Sequence, residues 1–224
     1  MQSPAERHLV GQLSTFIKEK TKGDCLPLIL NVGAGRSLSI EKQLSQLGCQ
    51  YISDRVDIED CGVVSPVVGT CWVCSVEDMR PMGSGRYQAA FANFVLEHVQ
   101  DLQKASREIF RVLGPSGIFT ASVPNTVAPE FVVARLTPLW FHKIVRRTDA
   151  WETSYSYRGI PELIEVFEGS GFITQEVRYW PGLEGYLRQY PAIGILGQIY
   201  DRIVSASKIR NLMGQVCIIL KKAP

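Results

Sequence analysis

Residues 28–37 read Leu28-Ile29-Leu30-Asn31-Val32-Gly33-Ala34-Gly35-Arg36-Ser37. A short apolar run ends in two glycines, and a helix-like segment begins at Ser39. This pattern predicts a strand, a glycine loop and a helix in direct succession. Because glycine has no Cβ, a ligand could approach the backbone of such a loop closely. Two glycines also occur in ordinary tight turns, so the rest of the chain must decide between the two interpretations.

The composition is that of a globular protein with one core. The chain has 224 residues, of which 46% are hydrophobic and 21% charged, which argues against disorder. Lys and Arg number 24 against 22 Asp and Glu, so the net charge of +2 does not indicate a nucleic-acid partner. No apolar run is long enough to span a bilayer, and the N-terminal residues do not resemble a signal peptide. We therefore expect a cytoplasmic protein.

The six cysteines are expected to be free thiols, since no secretory signal is present. Cys71 and Cys74 have the spacing of a zinc knuckle or a redox pair. A zinc site would need a second ligand pair, which the sequence does not offer, so no metal site is predicted. We expect both thiols to be buried or half-buried in a strand, with a redox pair as the alternative.

Strand and helix patterns alternate along the chain. Strands are predicted at residues 26–32, 50–53, 70–76, 88–92, 118–123, 172–180 and 215–221, with helices at 8–20, 39–47, 102–113 and 161–168. The alternation predicts an α/β fold: a Rossmann-like, mostly parallel seven-stranded sheet flanked by helices. Residues 1–224 form one domain in this prediction. Residues 126–157, rich in aromatic and basic side chains, are interpreted as a lid, and residues 181–213 as a helical insertion.

Polar side chains are predicted at successive carboxyl ends of the strands, which should meet in one crevice. Asp54 follows the second predicted strand about twenty residues after the glycine loop, and a carboxylate there could accept hydrogen bonds from both ribose hydroxyls. Asp57 is the alternative if the strand extends further. Asp78 could accept a hydrogen bond from a base, with Met79 packed on the flat face of that base.

The combined motifs resemble the class I S-adenosylmethionine-dependent methyltransferases of the small-molecule type 11 group. The resemblance covers about residues 26–125 and resumes at Tyr157. It is carried by Asn31-Val32-Gly33-Ala34-Gly35, Val76-Glu77-Asp78-Met79, Asn93-Phe94-Val95-Leu96-Glu97-His98-Val99 with Asp101, Glu108 to Gly117, Ser122-Val123-Pro124-Asn125, and Tyr157 to Phe172. It implies S-adenosylmethionine as cofactor and methyl transfer to a small-molecule, lipid-linked or sugar-linked acceptor.

The resemblance also implies roles for individual residues. Gly33 and Gly35 would face the methionine part of the cofactor, and Asp54 or Asp57 would hold the ribose. The remaining implied contacts are Glu77, Asp78 and Met79 at the adenine, Asn93 near the amino-acid end of the cofactor, and His98 beside the pocket.

The chain departs from the usual family pattern at several positions. Asn31 and Gln88 stand where the family usually has acids, as does Ser75, and Ser37 stands near the usual third glycine. The Asn31 amide can still hydrogen-bond an ammonium group, but without the charge attraction of a carboxylate. A cofactor-binding protein without turnover is therefore one alternative function. A nicotinamide-dependent oxidoreductase is a weaker one, because the final glycine of its loop motif is absent.

A base is needed only if the acceptor must lose a proton, and the candidates are His98, His142 and Glu97. Basic residues among aromatics in the predicted lid could hold an anionic acceptor or contact a membrane surface, or they could form a solvated basic face. The oligomeric state is not predicted.

Overall fold

The computed structural model describes residues 2–21, 25–136, 156–187 and 191–223. The strands are β1 Leu28–Val32, β2 Ile52–Asp57, β3 Val68–Val73, β4 Tyr87–Asn93, β5 Leu113–Pro124, β6 Phe172–Trp180 and β7 Gln215–Lys222. The helices are α1 Pro4–Lys20, α2 Ser39–Gln46, α3 Leu102–Val112, α4 Pro129–Leu136, α5 Ile160–Glu168, α6 Leu183–Leu187 and α7 Pro191–Ser207. Single 3-10 turns lie at Leu96–His98 and Arg210–Leu212.

The strands form one sheet in the order β3-β2-β1-β4-β5-β7-β6. The pairs formed among β1 to β5 are parallel, and β7 runs antiparallel to both β5 and β6. The prediction of a mostly parallel seven-stranded sheet flanked by helices is confirmed. Because β1, β2 and β4 are neighbours and parallel, the loops that follow them meet at one edge of the sheet.

The sheet is covered on both faces, which explains why β1 is almost wholly apolar. Ile29 packs with Leu9 and Leu13 of α1 on one face. Leu30, the next residue of β1, packs with Ile109 of α3 and the rest of the larger core on the other face. Alternate residues of the strand therefore serve opposite helical layers, as expected from the side-chain period of two.

The second strand extends further than predicted. β2 continues through Asp54 and Arg55 to Asp57, and both of the earlier polar residues are buried. Two adjacent charged residues are typical of a strand end, but here each is neutralised by hydrogen-bond partners from other elements. β3 in turn begins at Val68 and ends at Val73, before Cys74.

All six cysteines are free. Cys71 lies in β3 and Cys74 directly follows it, and both side chains are half-buried. Within the part of the chain that the structure describes, no group of three or more His, Cys, Asp or Glu side chains is arranged to hold a metal ion.

Part of the predicted lid is described. Pro129–Leu136 forms α4, and Tyr157 is buried, with its hydroxyl donating to the Pro124 carbonyl oxygen over 3.0 Å. Residues 137–155 lie outside the described residues, so the lid stays a prediction. The described part of residues 181–213 forms α6, α7 and a 3-10 turn. None of the helices in the described ranges has the length and apolar character needed to cross a bilayer.

Candidate functional site

A hollow of about 820 Å³ opens at the carboxyl ends of β1, β2 and β4. Gly33 and Gly35 border it from the loop after β1, and Asp57 from the end of β2. Ser75 to Glu77 follow β3, and Phe94 to Gln100 follow β4. The lining residues from these last two loops are Cys74, Ser75, Val76, Glu77, Phe94, Val95, His98, Val99 and Gln100. Four separate loops therefore meet at one concave surface, as predicted from the order of the strands.

The glycine loop has a backbone that other residues rarely adopt. Gly33 has φ +63° and Gly35 has φ +51°, both in the left-handed region. A Cβ on Gly33 would lie 2.3 Å from Cγ1 of Val95, so a side chain there would collide with the loop after β4. The Gly33 N–H donates to the Val56 carbonyl oxygen over 2.9 Å, which holds the loop against the end of β2. The left-handed backbone explains both glycines, and the close approach of Val95 is a second reason for Gly33.

Asp57 is the carboxylate at the end of β2 that lies at the hollow. Its Oδ2 accepts from the Gly35 N–H over 2.8 Å, and its Oδ1 accepts from the Glu59 N–H over 3.2 Å. A carboxylate has about four lone-pair sites, so two remain for outside donors. Asp57, the alternative considered from the sequence, therefore has the position and the acceptor capacity to bind a vicinal diol.

The predicted position of Asp54 at a strand end is wrong. Asp54 lies in the middle of β2, is 1% exposed and is not among the residues of the hollow. Its carboxylate accepts from the Thr70 N–H at 2.8 Å, the Tyr87 hydroxyl at 2.9 Å and the Arg86 guanidinium at 3.0 Å. Burial and the Asp54 carboxylate both raise the pKa of Tyr87, so this hydroxyl stays a donor. Asp54 connects three strands and is fully occupied by protein donors.

Asn31 also lies away from the hollow, because it belongs to a buried polar cluster. Its Nδ2 donates to Oε1 of Glu41 over 2.7 Å, and the same carboxylate pairs with Arg55. The second Arg55 nitrogen, Nη2, donates to the carbonyl oxygens of Ala34 at 2.8 Å and Ser37 at 2.7 Å. Arg55, which is fully buried, therefore holds both ends of the turn that contains the glycines. The sequence analysis did not identify Arg55 or Glu41.

Of the three predicted adenine contacts, only Glu77 lines the hollow. Glu77 accepts from the backbone N–H groups of Gln100 at 2.9 Å and Asp101 at 3.1 Å, which joins the loops after β3 and β4. Asp78 is not among the residues that line the hollow. It pairs with Arg80, whose guanidinium lowers the pKa of the Asp78 carboxyl. Met79 is fully buried in the core, where packing against apolar neighbours decides its position.

The loop after β4 contributes Phe94 and His98 to the hollow. Phe94 has φ +54°, an uncommon conformation for a non-glycine residue, and its N–H donates to the Ser122 carbonyl oxygen over 2.9 Å. His98 ends the 3-10 turn, with its N–H donating to the Val95 carbonyl oxygen. Asn93 is the last residue of β4 and is not among the lining residues; its Oδ1 is buried without a hydrogen-bond partner. His142 lies outside the described residues.

The chemistry available at the hollow is that of binding and positioning. Glycine backbone, the Asp57 carboxylate with acceptor sites left over and apolar side chains such as Val56 and Val95 suit a nucleoside with a charged tail. Burial raises the pKa of the Cys74 thiol, with the Asp78 and Glu108 carboxylates adding to the shift. The thiol is therefore protonated at neutral pH and is a poor nucleophile.

Comparison with known proteins agrees with this geometry. Residues 30–121 match the family model described as a methyltransferase domain. A geranyl diphosphate C-methyltransferase from Streptomyces coelicolor A3(2), solved with S-adenosyl-L-homocysteine, is 16% identical, with a TM-score of 0.60 over 95% of this chain and 76% of that one. An S-adenosylmethionine-dependent methyltransferase from Mesorhizobium loti is 12% identical, with a TM-score of 0.59 over 88% of this chain and 91% of that one.

The fold alone does not define a reaction, since the cyclase SpnF is 17% identical with a TM-score of 0.60 over 95% of this chain and 81% of that one. The search of curated proteins found no match. The matched segment contains the glycine loop, the end of β2 and the loops after β3 and β4, which together surround the hollow. The resemblance predicted from the sequence is thus confirmed for residues 30–121, which match the model of a methyltransferase domain.

Proposed function

We propose that this protein transfers a methyl group from S-adenosylmethionine to a small-molecule acceptor. The observation that supports this most directly is the 2.8 Å hydrogen bond from the Gly35 N–H to Asp57 Oδ2, at the rim of the hollow. It keeps a carboxylate and a side-chain-free backbone side by side. These are the two features that a ribose and an adjoining methionine tail require.

Each contact of the cofactor is assigned to residues at this rim. Gly33 and Gly35 border the methionine part, Asp57 accepts the ribose hydroxyls, and Ser75 to Glu77 border the adenine. Four residues predicted as cofactor contacts are not included. Buried polar partners occupy Asn31 and Asp54, an exposed ion pair with Arg80 occupies Asp78, and core packing holds Met79. Asn93, the last residue of β4, is not included either, because it is not among the residues that line the hollow.

S-adenosylmethionine supplies an activated methyl group, so the residues of this chain mainly hold the acceptor in line with it. His98 is the candidate for taking a proton from the acceptor, because it lines the hollow. The His98→Gln variant should therefore lose turnover while it keeps the wild-type affinity for S-adenosylhomocysteine. Wild-type turnover in this variant would exclude His98 as the base.

The acceptor class is proposed as a small anionic or lipid-linked molecule. The basic residues predicted in the lid support this class, and one protein of similar fold is a geranyl diphosphate C-methyltransferase. A cytoplasmic location stays a prediction.

Calorimetric titration with S-adenosylhomocysteine and with NAD tests cofactor binding. We expect saturable binding of S-adenosylhomocysteine, at least about tenfold weaker in Asp57→Asn, where a neutral amide replaces the ribose acceptor. The matched control is Asp78→Asn, at an exposed acid beyond the rim, which should bind as the wild type does. Binding of NAD instead, or equal affinity in both variants, would contradict the proposal.

A second candidate function is cofactor binding without turnover. It is favoured by one observation: the amide of Asn31 serves the buried Glu41 and is absent from the hollow. Radiolabelled S-adenosylmethionine incubated with metabolite and lipid extracts distinguishes the two functions. Label transferred to an extract component supports methyl transfer, and tight binding with no transfer in any extract supports the second candidate.

A further inference from the structure

α7 presents an apolar stripe to solvent. Ile195, Leu196, Ile199 and Ile203 are 63%, 60%, 47% and 62% exposed and lie on one side of the helix, at spacings of three, four and seven or eight residues. Isolated exposed aliphatic residues are ordinary, but four on one helical face form a patch that calls for a physical explanation.

The opposite side of α7 is fixed to the body of the protein. A Cβ on Gly197 would lie 2.9 Å from the Cα of Glu184, so the helix packs tightly on α6. The Asp201 carboxylate accepts from the Leu183 and Glu184 N–H groups at a distance of 3.1 Å each. Val204 is buried. These contacts set the rotation of α7 and keep the apolar stripe facing outward.

Basic side chains lie in a groove beside the stripe, together with two acids. A groove of about 1120 Å³ between α1, the end of β6 and α7 is lined by Arg7, Arg178 and Arg202, together with the acids Glu184 and Asp201. Arg178 pairs with Glu176, whereas Arg7 and Arg202 have no carboxylate within 4.0 Å among the described residues.

The C-terminal end of α7 adds to this charge. Lys208 and Arg210 follow the helix and are exposed. The acid of α7 itself, Asp201, is occupied by backbone N–H groups of α6 and is not available to neutralise these cations. The exposed charges on and beyond this helix are therefore positive.

The chain leads into α6 and α7 from the same edge of the sheet at which the hollow opens. Trp180, the last residue of β6, pairs with Gln215, and Gln215 pairs with Pro124 at the carboxyl end of β5. α6 and α7 follow this point of the chain.

We propose that this face of α7 docks on an anionic lipid bilayer. The four aliphatic side chains would enter the boundary between headgroups and acyl chains, and Arg7, Arg202 and Lys208 would face the lipid phosphates. An apolar helical stripe flanked by basic side chains is the pattern of helices that lie in the membrane interface. Anionic lipid attracts each nearby cation, and the attraction falls with ionic strength.

A second copy of the chain fits this face less well. In a two-fold pairing the same patch meets itself, so Arg202 and Lys208 would approach their own counterparts. The stripe also consists of four side chains on one helix, whereas a stable interface buries roughly 800 Å² on each partner. Charge and size both favour the lipid surface.

Vesicle co-sedimentation of the full chain tests the proposal without S-adenosylmethionine or an acceptor, so its outcome is independent of the proposed function. We expect binding to vesicles of phosphatidylcholine mixed with phosphatidylglycerol, and at least about tenfold weaker binding to phosphatidylcholine alone or at high salt. The variant Ile195→Ser/Ile199→Ser/Ile203→Ser should bind the mixed vesicles at least about tenfold more weakly, since its aliphatic anchors are lost.

The matched control replaces three other exposed aliphatic residues: Leu47→Ser/Val64→Ser/Ile173→Ser. It should bind vesicles like the wild type, and both variants should keep the wild-type circular dichroism spectrum and cooperative thermal unfolding, which shows that they are folded. No binding to the mixed vesicles, or equal binding by the two triple variants, would overturn the proposal. A dimer that forms in solution and is lost only in the α7 variant would also overturn it, by assigning the stripe to a second copy.

Discussion

The Arg55 guanidinium donates to the Ser37 carbonyl oxygen over 2.7 Å, which ties the middle of β2 to the turn that follows the glycines. The same nitrogen donates to the Ala34 carbonyl oxygen, and the other terminal nitrogen pairs with Glu41 of α2. A buried cation thus holds the backbone of the glycine loop, and a buried carboxylate compensates its charge. Buried ion pairs contribute little net stability, but breaking one leaves an uncompensated charge.

The Arg55→Met variant should therefore be strongly destabilised. Loss of one partner of a buried pair costs about 3–5 kcal/mol, because Glu41 is left buried without its counter-charge. Urea denaturation should show the midpoint falling accordingly. A loss smaller than about 1 kcal/mol would mean that the pair is not buried in solution.

The double variant Arg55→Met/Glu41→Met separates stability from loop positioning. Removal of both charges should restore most of the lost stability. The affinity for S-adenosylmethionine should nevertheless stay several-fold below that of the wild type, because the Ala34 and Ser37 carbonyl oxygens have lost their donor. Calorimetric titration measures this, and wild-type affinity in the double variant would exclude Arg55 as a positioning residue.

Asp54→Asn is expected to affect stability and leave cofactor affinity nearly unchanged. The substitution weakens charge-assisted hydrogen bonds from Arg86 and Tyr87 at a fully buried site, which costs about 1–3 kcal/mol. Thermal unfolding should show the loss, and S-adenosylhomocysteine should bind within about threefold of the wild type. Normal stability with weak binding in this variant would show instead that Asp54 contributes to cofactor binding.

Alanine should be tolerated better at Gly35 than at Gly33. Both positions have a left-handed backbone, which costs an alanine about 1 kcal/mol. Only at Gly33 does the new Cβ also meet Val95, whereas at Gly35 nothing lies within 4 Å. The melting temperature should therefore fall further in Gly33→Ala. Adding Val95→Ala should recover part of the difference, and equal melting temperatures for the two single variants would contradict this account.

Glu130 should make stability fall as pH rises. Burial, with a contribution from Asp201, raises the pKa of this carboxyl above its usual 4.5, and neither carboxyl oxygen has a hydrogen-bond partner. Below the usual pKa the group is protonated in both the folded and unfolded states, so it has no effect. Above it the unfolded chain ionises first, and the stability difference grows until the folded carboxyl ionises too.

The Glu130→Gln variant should consequently melt at a higher temperature than the wild type at pH 8, with a smaller difference at pH 5. Glu165→Gln, at an exposed position on α5, is the control and should show no pH-dependent difference. A gap between Glu130→Gln and wild type that is constant with pH would show that ionisation of Glu130 is not the cause.

Several elements could be predicted because their signals are local. The strand Phe172–Trp180 is found as predicted, and the first two helices and first strand differ from prediction only near their ends. Hydrophobic periodicity and the position of glycines determine such elements from neighbouring residues. The family resemblance, which rests on the same contiguous motifs, is confirmed for the same reason.

The polar site residues were predicted less well, because their partners are distant in the chain. Asp54 was predicted at a strand end, yet it lies within β2, where Thr70 and Tyr87 donate to it. Arg55 was not identified, because its partners are Glu41 and loop carbonyl groups. The sequence also suggested that Met79 follows Asp78 to the rim, but a fully apolar side chain is placed by the core.

By itself, the sequence determined the order of strands and helices, the place of the glycine loop and the edge of the sheet at which the hollow forms. Only the tertiary structure decided which carboxylate reaches that hollow, Asp57 or Asp54. The physical reason is that an acid is available to a ligand only where the protein leaves some of its acceptor sites unfilled. Which sites are filled depends on donors that folding brings from other strands.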